Sequence, residues 1–260
     1  MVSADAEEDA IKIMAVPSPP FVMPDGSGLW AELANCAAKP VKMTVTINAT
    51  PGRRAVRAVL RGETDAYMPG VSMFPKDKKD KLAGVQLMNI PLVLVYSKTR
   101  TPELAGFHKD YDLTGYRVGL LDNAASRARY IAAGAQVFEF PTPAMKVRNL
   151  IAGRVDMLVN TVLGLSYLLN YHPDKAQMAI TAPIKWAPIS MAFNRDNPTT
   201  ESRIKRLAQG LRACQINGQY HKILAKYYGP GNVPLHVALG DAQSGVTTKT
   251  PSYDRIIFGD

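Results

Sequence analysis

The chain has 260 residues, with 31 Lys and Arg against 22 Asp and Glu, for a formal net charge of +9. At 47% apolar and 20% charged residues it can bury a substantial core, which excludes wholesale disorder. The longest apolar run, Ile90 to Tyr96, is interrupted by Pro91 and falls short of the roughly 20 residues a bilayer span needs, while two cysteines exclude a disulfide-dense scaffold.

The first nine residues, MVSADAEED, are polar and acidic and lack the apolar stretch of a signal peptide. They read as the start of a mature secreted chain behind an added Met, and a cytosolic chain with a frayed end fits them as well. Ile11 to Val16 is a strand bounded by Pro17, Pro19 and Pro20, and Asp25-Gly-Ser-Gly28 is a turn. Leu29 to Lys39 has helical spacing, Val41 to Asn48 alternates with period two, and Pro51 to Leu60 is a helix with Pro at its start and Gly62 past its end.

An internal repeat is the most informative feature. Residues 56–65 (VRAVLRGETD) and 147–156 (VRNLIAGRVD) share V-R-x-[VL]-[LI]-x-G-x-x-D without a gap. In each copy a helix presents Val and Leu or Ile to a core, Gly ends it in the left-handed conformation, and Asp precedes an apolar strand. Around the second copy lie the strand Arg117 to Leu121, a helix near 124–133, the strand Gln136 to Phe140, a helix near 143–152 and the strand Met157 to Val159. This is a β-α-β-α-β series, the pattern of a mostly parallel sheet. Pro91 to Tyr96 and Ile189 to Phe193 flank it as two strands crossing between lobes. A long helix from Thr199 or Thr200 stops near Tyr228-Gly229-Pro230-Gly231, with Gly210 and Gly218 weakening it as one rod. Residues 232–260 are expected to form a packed irregular arm.

Several local signals carry little chemistry. Lys76, Lys78, Lys79 and Lys81 are diluted by Asp77 and Asp80 and read as a solvated loop, and with no aromatic RNA-binding motif or zinc-finger spacing, nucleic acid is not expected as a partner. Gly26-x-Gly28-x-x-Ala31 does not follow a strand directly, as a dinucleotide site requires. His108, His172, His221 and His236 lack ligand spacing, so neither metal nor cofactor is expected. Glu63 and Asp65 are explained by the turn they occupy. Cys36 and Cys214 both fall on helices, and two buried thiols are favoured over a bridge between them.

Pro20-Phe21 followed by D-G-x-G, R-G-E-T-D-A, D-L-T-G-Y-R-V-G at 112–119, G-R-V-D at 153–156 and Y-Y-G at 227–229 resemble the bacterial extracellular solute-binding proteins of family 3 over about residues 10–230. The resemblance implies an α/β, two-lobed, type II periplasmic-binding-protein-like fold. Each lobe would be a mostly parallel sheet flanked by helices, joined by two crossing strands. Lobe 1 would comprise 10–96 plus 194–260, and lobe 2 would comprise 97–193. Hinges are expected at Tyr96, Lys98, Phe193 and Asn194. The implied setting is the periplasm, with the signal peptide removed. The implied partners are a small-molecule ligand and a membrane ABC permease or sensor kinase, for a monomeric receptor without a membrane span of its own.

Carried over residue by residue, the resemblance places ligand contacts at Ser18, Phe21, Gly70, Ser72, Asn123, Ser126, Asn160 and Thr161. The family's two charged anchors for an amino acid are replaced. Asp77 stands where Arg is usual, with Phe74 in place of Thr, and Thr161 stands where an acidic residue is usual. Asn123-Ala124-Ala125 replaces the second lobe's G-T-T loop. A standard zwitterion is therefore a poor expectation, since a buried carboxylate without its cation is costly. Arg53 and Arg54, at the start of a helix, are candidates for a replacement cation. The expected ligand is a small polar solute, anionic solutes included. Two alternatives stay open. One is a partner- or sensor-linked domain with a modified cleft. The other is a cyclohexadienyl-type dehydratase using Glu32, Asp122 or Asp25.

Overall fold

The computed structural model describes residues 9–107, 111–122, 127–170, 172–234 and 236–239, without the side chain of Ser72. In chain order these form β1 (Ala10–Ala15), α1 (Leu29–Ala38), β2 (Thr44–Ala49), α2 (Gly52–Leu60), β3 (Ala66–Met68), β4 (Leu82–Ser97) and β5 (Arg117–Leu121). They continue with α3 (Arg127–Ala132), β6 (Gln136–Phe140), α4 (Pro143–Ile151), β7 (Met157–Thr161), α5 (Val162–Leu169), β8 (Met178–Ile180), β9 (Lys185–Asn194), α6 (Thr200–Ile216) and α7 (Gln219–Tyr228).

The chain divides into two compact units. One holds the residues up to Asn89 and those from Pro188, and the other holds Ile90–Ala187. The chain passes from one unit to the other within β4 and returns within β9, upstream of the positions near Lys98 and Asn194 that the sequence suggested.

In the first unit the strand order is β2-β1-β3-β9-β4. β1 pairs in parallel with β2, from Ala10 opposite Thr44 to Ala15 opposite Ala49, and with β3, while β9 joins β3 antiparallel. In the second unit the order is β4-β7-β5-β6, with β8 also on β4. β5 is parallel to β6 and β7, and β4 runs antiparallel to β7. Val93, Val95, Leu150, Val155, Leu158 and Val162 make one core cluster on this sheet, and Leu94, Leu113, Val118, Leu120 and Tyr130 make another.

The repeat folds the same way twice. Gly62 (φ 73°) and Gly153 (φ 70°) end α2 and α4 in the left-handed conformation. The next N–H, of Glu63 and of Arg154, returns to a carbonyl in the last turn, Ala58 and Asn149, each at 2.9 Å. The repeat's Asp then clamps the strand that opened the unit. The Asp65 N–H donates to the Lys12 carbonyl at 3.0 Å, and Asp65 Oδ2 accepts from the Lys12 N–H at 2.7 Å. The Asp156 N–H donates to the Arg117 carbonyl at 2.8 Å, and Asp156 Oδ2 accepts from the Arg117 N–H at 2.8 Å. A guanidinium completes each clamp: Arg203 of α6 on Asp65 at 2.5 Å, and Arg117 itself on Asp156 at 2.6 Å. Asp65 is thus more than a turn residue. Burial raises the Asp156 pKa, but the hydrogen bonds from Arg117 outweigh it and hold the carboxyl below its usual range.

Two expectations on the C-terminal helices need correction. The rod after Thr199 is two helices, because Gly218 turns left-handed (φ 76°) after Asn217. Gly210 causes no break. A Cβ there would lie 1.8 Å from the Ala37 carbonyl oxygen, so the glycine lets α6 press directly on the backbone of α1. One turn further along α6, Cys214 comes within 5.8 Å (Cα to Cα) of Cys36 and the two form a disulfide, where two separate thiols were expected. Gly210 brings the helix axes closer than ordinary side-chain packing permits, and that is what overturns the expectation.

The bridge closes a loop of sequence separation 178, long enough for a large effect on the unfolded chain. Reducing it, or replacing both cysteines by Ala, is expected to lower stability by about 2–5 kcal/mol in denaturant unfolding followed by circular dichroism. A reductant should shift the parent chain and leave the double variant unmoved.

Candidate functional site

In both units the described candidate residues lie at or just after the carboxyl ends of strands, where open α/β sheets place their ligands. After β1, Ser18 forms a small bridge with Val22: its N–H donates to the Val22 carbonyl at 2.9 Å and its own carbonyl accepts from Phe21 at 2.8 Å. Phe21 is buried and stacks on Trp30 with centroids 5.0 Å apart, so its ring packs in the first unit's core. After β2, Thr50 donates its N–H to the Ala15 carbonyl at 2.8 Å. Arg53 and Arg54 open α2, whose N-cap Pro51 offers no side-chain cap, and both guanidinium groups are on the surface. After β3, Gly70 lies against Ser190 of β9, and the backbone of Ser72 sits in the short turn Val71–Met73. Phe74 is buried edge-on against Tyr67 at 5.5 Å. The Tyr67 hydroxyl is buried with no hydrogen-bond partner among the described residues and is pushed to a high pKa by that burial.

In the second unit Asn123 and Ser126 lie outside the described residues. Asn160 and Thr161 close β7 and begin α5. The Thr161 side chain caps α5 by accepting from the Gly164 N–H at 3.1 Å, and Asn160 Oδ1 accepts from the Thr161 N–H at 2.9 Å. Asn160 Nδ2 is buried and has no partner among the described residues.

The candidate hinge residues are firmly held. Tyr96 and Phe193 are buried. Lys98 Nζ donates to the Ala176 carbonyl at 3.2 Å. Asn194 sends its Nδ2 to the Val59 carbonyl at 3.4 Å, and its carbonyl accepts the Thr200 hydroxyl at 2.6 Å as α6 begins.

The acids considered for a dehydratase have other partners. Asp25 accepts from both the Ser27 hydroxyl and N–H, which lower its pKa and suit it poorly to act as a general acid. Glu32 accepts from Lys226 Nζ at 2.6 Å and the Tyr227 hydroxyl at 2.7 Å. Asp122 is exposed. Among the described residues no cluster of three or more His, Cys, Asp or Glu is placed to hold a metal, and no helix is long and apolar enough to cross a membrane.

One residue that sequence reasoning missed stands out. Lys146 lies on the core face of α4 with Val147 and Leu150 and is only 3% exposed. Its stem runs over Gly119 of β5, whose Cβ would lie 3.4 Å from Lys146 Cγ, and its Nζ donates to the Val159 carbonyl, next to Asn160. The repeat held the signal. Extended one residue upstream it aligns Lys146 with Ala55, a fully buried core position.

Burial pushes the Lys146 amine down to about 7, from 10.5 in an unfolded chain. Between those values the unfolded chain holds the extra proton, so stability rises with pH, and below about 7 the full cost of the buried charge is present. Urea unfolding between about pH 6 and about pH 9 is expected to show a gain of a few kcal/mol for the parent chain. Lys146→Met should flatten that rise and be the more stable protein at the acid end.

No protein-family profile and no curated protein matches the chain. Solved structures do. The GluR0 ligand-binding core from Nostoc punctiforme, in complex with L-glutamate, is 14% identical with a TM-score of 0.68 over 85% of this chain and 100% of that one. An ABC uptake transporter substrate-binding protein from Streptococcus pneumoniae, with bound histidine, is 17% identical with a TM-score of 0.70 over 90% and 96%. An ancestral amino-acid-binding protein, a precursor of cyclohexadienyl dehydratase, is 16% identical with a TM-score of 0.68 over 86% and 99%. At such identities the likeness speaks to architecture, and the chain has the mixed α/β fold of the two-lobed type II periplasmic binding proteins.

Proposed function

We propose that the chain is an extracytoplasmic receptor that binds a small polar solute and presents it to a membrane ABC permease. The observation that carries this reading is the position of the candidate residues. Ser18, Arg53, Arg54, Gly70 and Ser72 in the first unit follow the carboxyl ends of their strands, and Asn160 and Thr161 in the second form the carboxyl end of β7. Solutes bind at such ends in open α/β sheets. Asn123 and Ser126 extend the same set by sequence. The fold is shared with proteins that carry glutamate, histidine and arginine in their solved structures. The disulfide favours an oxidising compartment such as the periplasm.

In this reading the solute lies between lobe 1 and lobe 2 and draws them together, with β4 and β9 as the moving connections where the chain passes between the units, at Asn89–Ile90 and Ala187–Pro188. The receptor works as a monomer, and either a permease or a sensor kinase reads the closed form. The candidate contacts are mostly neutral, and Arg53 and Arg54 supply positive charge at the start of α2, so polar solutes other than standard zwitterions are favoured, anions among them.

A thermal-shift screen over amino acids, dicarboxylates, sulfonates, polyamines and sugars tests the reading. A true solute at 100 times its dissociation constant is expected to add about 2.7 kcal/mol. Small-angle scattering should show a more compact chain with that solute. A flat response across every class, with unchanged scattering, refutes the receptor assignment.

A further inference from the structure

Two buried donors at the carboxyl edge of the second unit's sheet have unused hydrogen-bonding capacity. A lysine ammonium carries three N–H bonds, and among the described residues Lys146 Nζ donates to one acceptor, the Val159 carbonyl. The next residue along β7, Asn160, is 9% exposed, and its Nδ2 has no partner among the described residues, while its Oδ1 is engaged by the Thr161 N–H. Thr161 is also the N-cap of α5, so the positive end of that helix meets the same residues. Three sources of positive potential thus lie at consecutive residues, Val159 to Thr161, at the end of β7.

Among the described residues of the elements packed around them, no free carboxylate balances them. α4 packs on β5, β6 and β7. On β5 the charged residue is Arg117, paired with Asp156. On β6 it is Glu139, paired with Arg127 at 3.3 Å. β7 carries no charged residue, Asp122 beyond β5 is exposed, and Arg148 on α4 is exposed. Burial is the cause that lowers the Lys146 amine. A lysine and an amide buried together with donor hydrogens left over are costly unless something else completes them.

We propose that Lys146 and Asn160 form the anion end of the solute site, where a small carboxylate binds with one oxygen accepting from Lys146 Nζ and the other from Asn160 Nδ2. This deepens the receptor reading and rests on it. One cation matches one negative charge, whereas sulfate or phosphate would leave a charge buried and uncompensated. Two donors on neighbouring positions suit the two oxygens of a planar carboxylate. Both donors are covered in the structure, so the solute enters by a local opening at the end of β7. Binding draws a proton onto Lys146, because the carboxylate offsets the cost of charging the buried amine.

The test uses the full chain and isothermal titration with acetate, pyruvate, succinate and sulfate, in two buffers of different ionisation enthalpy. The expected result is that at least one carboxylate binds, sulfate does not, and binding takes up protons above about pH 7 and weakens as pH rises further. Lys146→Met should lose about ten- to a hundredfold in carboxylate affinity with no loss of unliganded stability. Asn160→Asp places a carboxylate beside Lys146 and should abolish binding while raising stability, so the proposal does not hang on one variant folding. Carboxylate binding left unchanged in both variants overturns the proposal, as does a parent chain that binds only neutral or cationic solutes. In those cases the receptor reading survives. Failure of every solute class refutes both.

Discussion

Each half of this molecule is organised by one aspartate. Asp65 and Asp156 tie the loop after a helix to the first residues of the strand that began the unit, through a reciprocal pair of backbone hydrogen bonds and a guanidinium. The clamp fixes where two neighbouring parallel strands start, and therefore where they end. The carboxyl ends, with the polar residues that follow them, inherit that register. The two clamps differ in the origin of the cation. In the second unit Arg117 belongs to the clamped strand. In the first it is Arg203, far along the chain in α6, so this clamp also seats a C-terminal helix against the sheet. Arg203 is nearly buried, and removing either partner would strand a charge in the core at a cost of about 3–5 kcal/mol.

The same repeat plan serves different ends in the two units. At equivalent positions Ala55 fills a core and Lys146 places an amine in one. An ammonium at an alanine site is tolerable in energy only if its proton is easily lost or its charge is matched. In the proposed anion site, basicity would bear on solute chemistry through this local choice rather than through the net charge of +9. Much of the remaining positive charge, such as Lys205 and Arg212, lies on helix faces.

Much of the architecture was legible in the residues. Period-two alternation marked β2, Gly62 and Gly153 marked the ends of α2 and α4, and the repeated V-R-x-[VL]-[LI]-x-G-x-x-D marked two α/β units. What stayed hidden depended on distance in space. Gly210 looked like a weakness in a helix, yet it is a contact point with the Ala37 carbonyl, and the disulfide follows from that approach. Lys146 looked like one more charged residue on a helix, because nothing local shows that its face is the buried one. Phe21 is a ligand contact by resemblance, and its ring stacks on Trp30. Helical spacing names a face but not what that face meets.

The disulfide has a topological meaning beyond its stabilising effect. Cys36 and Cys214 both belong to the first unit, and the whole of Ile90–Ala187 lies between them. The second unit is therefore an excursion within the covalent loop that this one bond closes. A proteolytic nick anywhere in that excursion leaves a single molecule, and only a reductant separates its pieces.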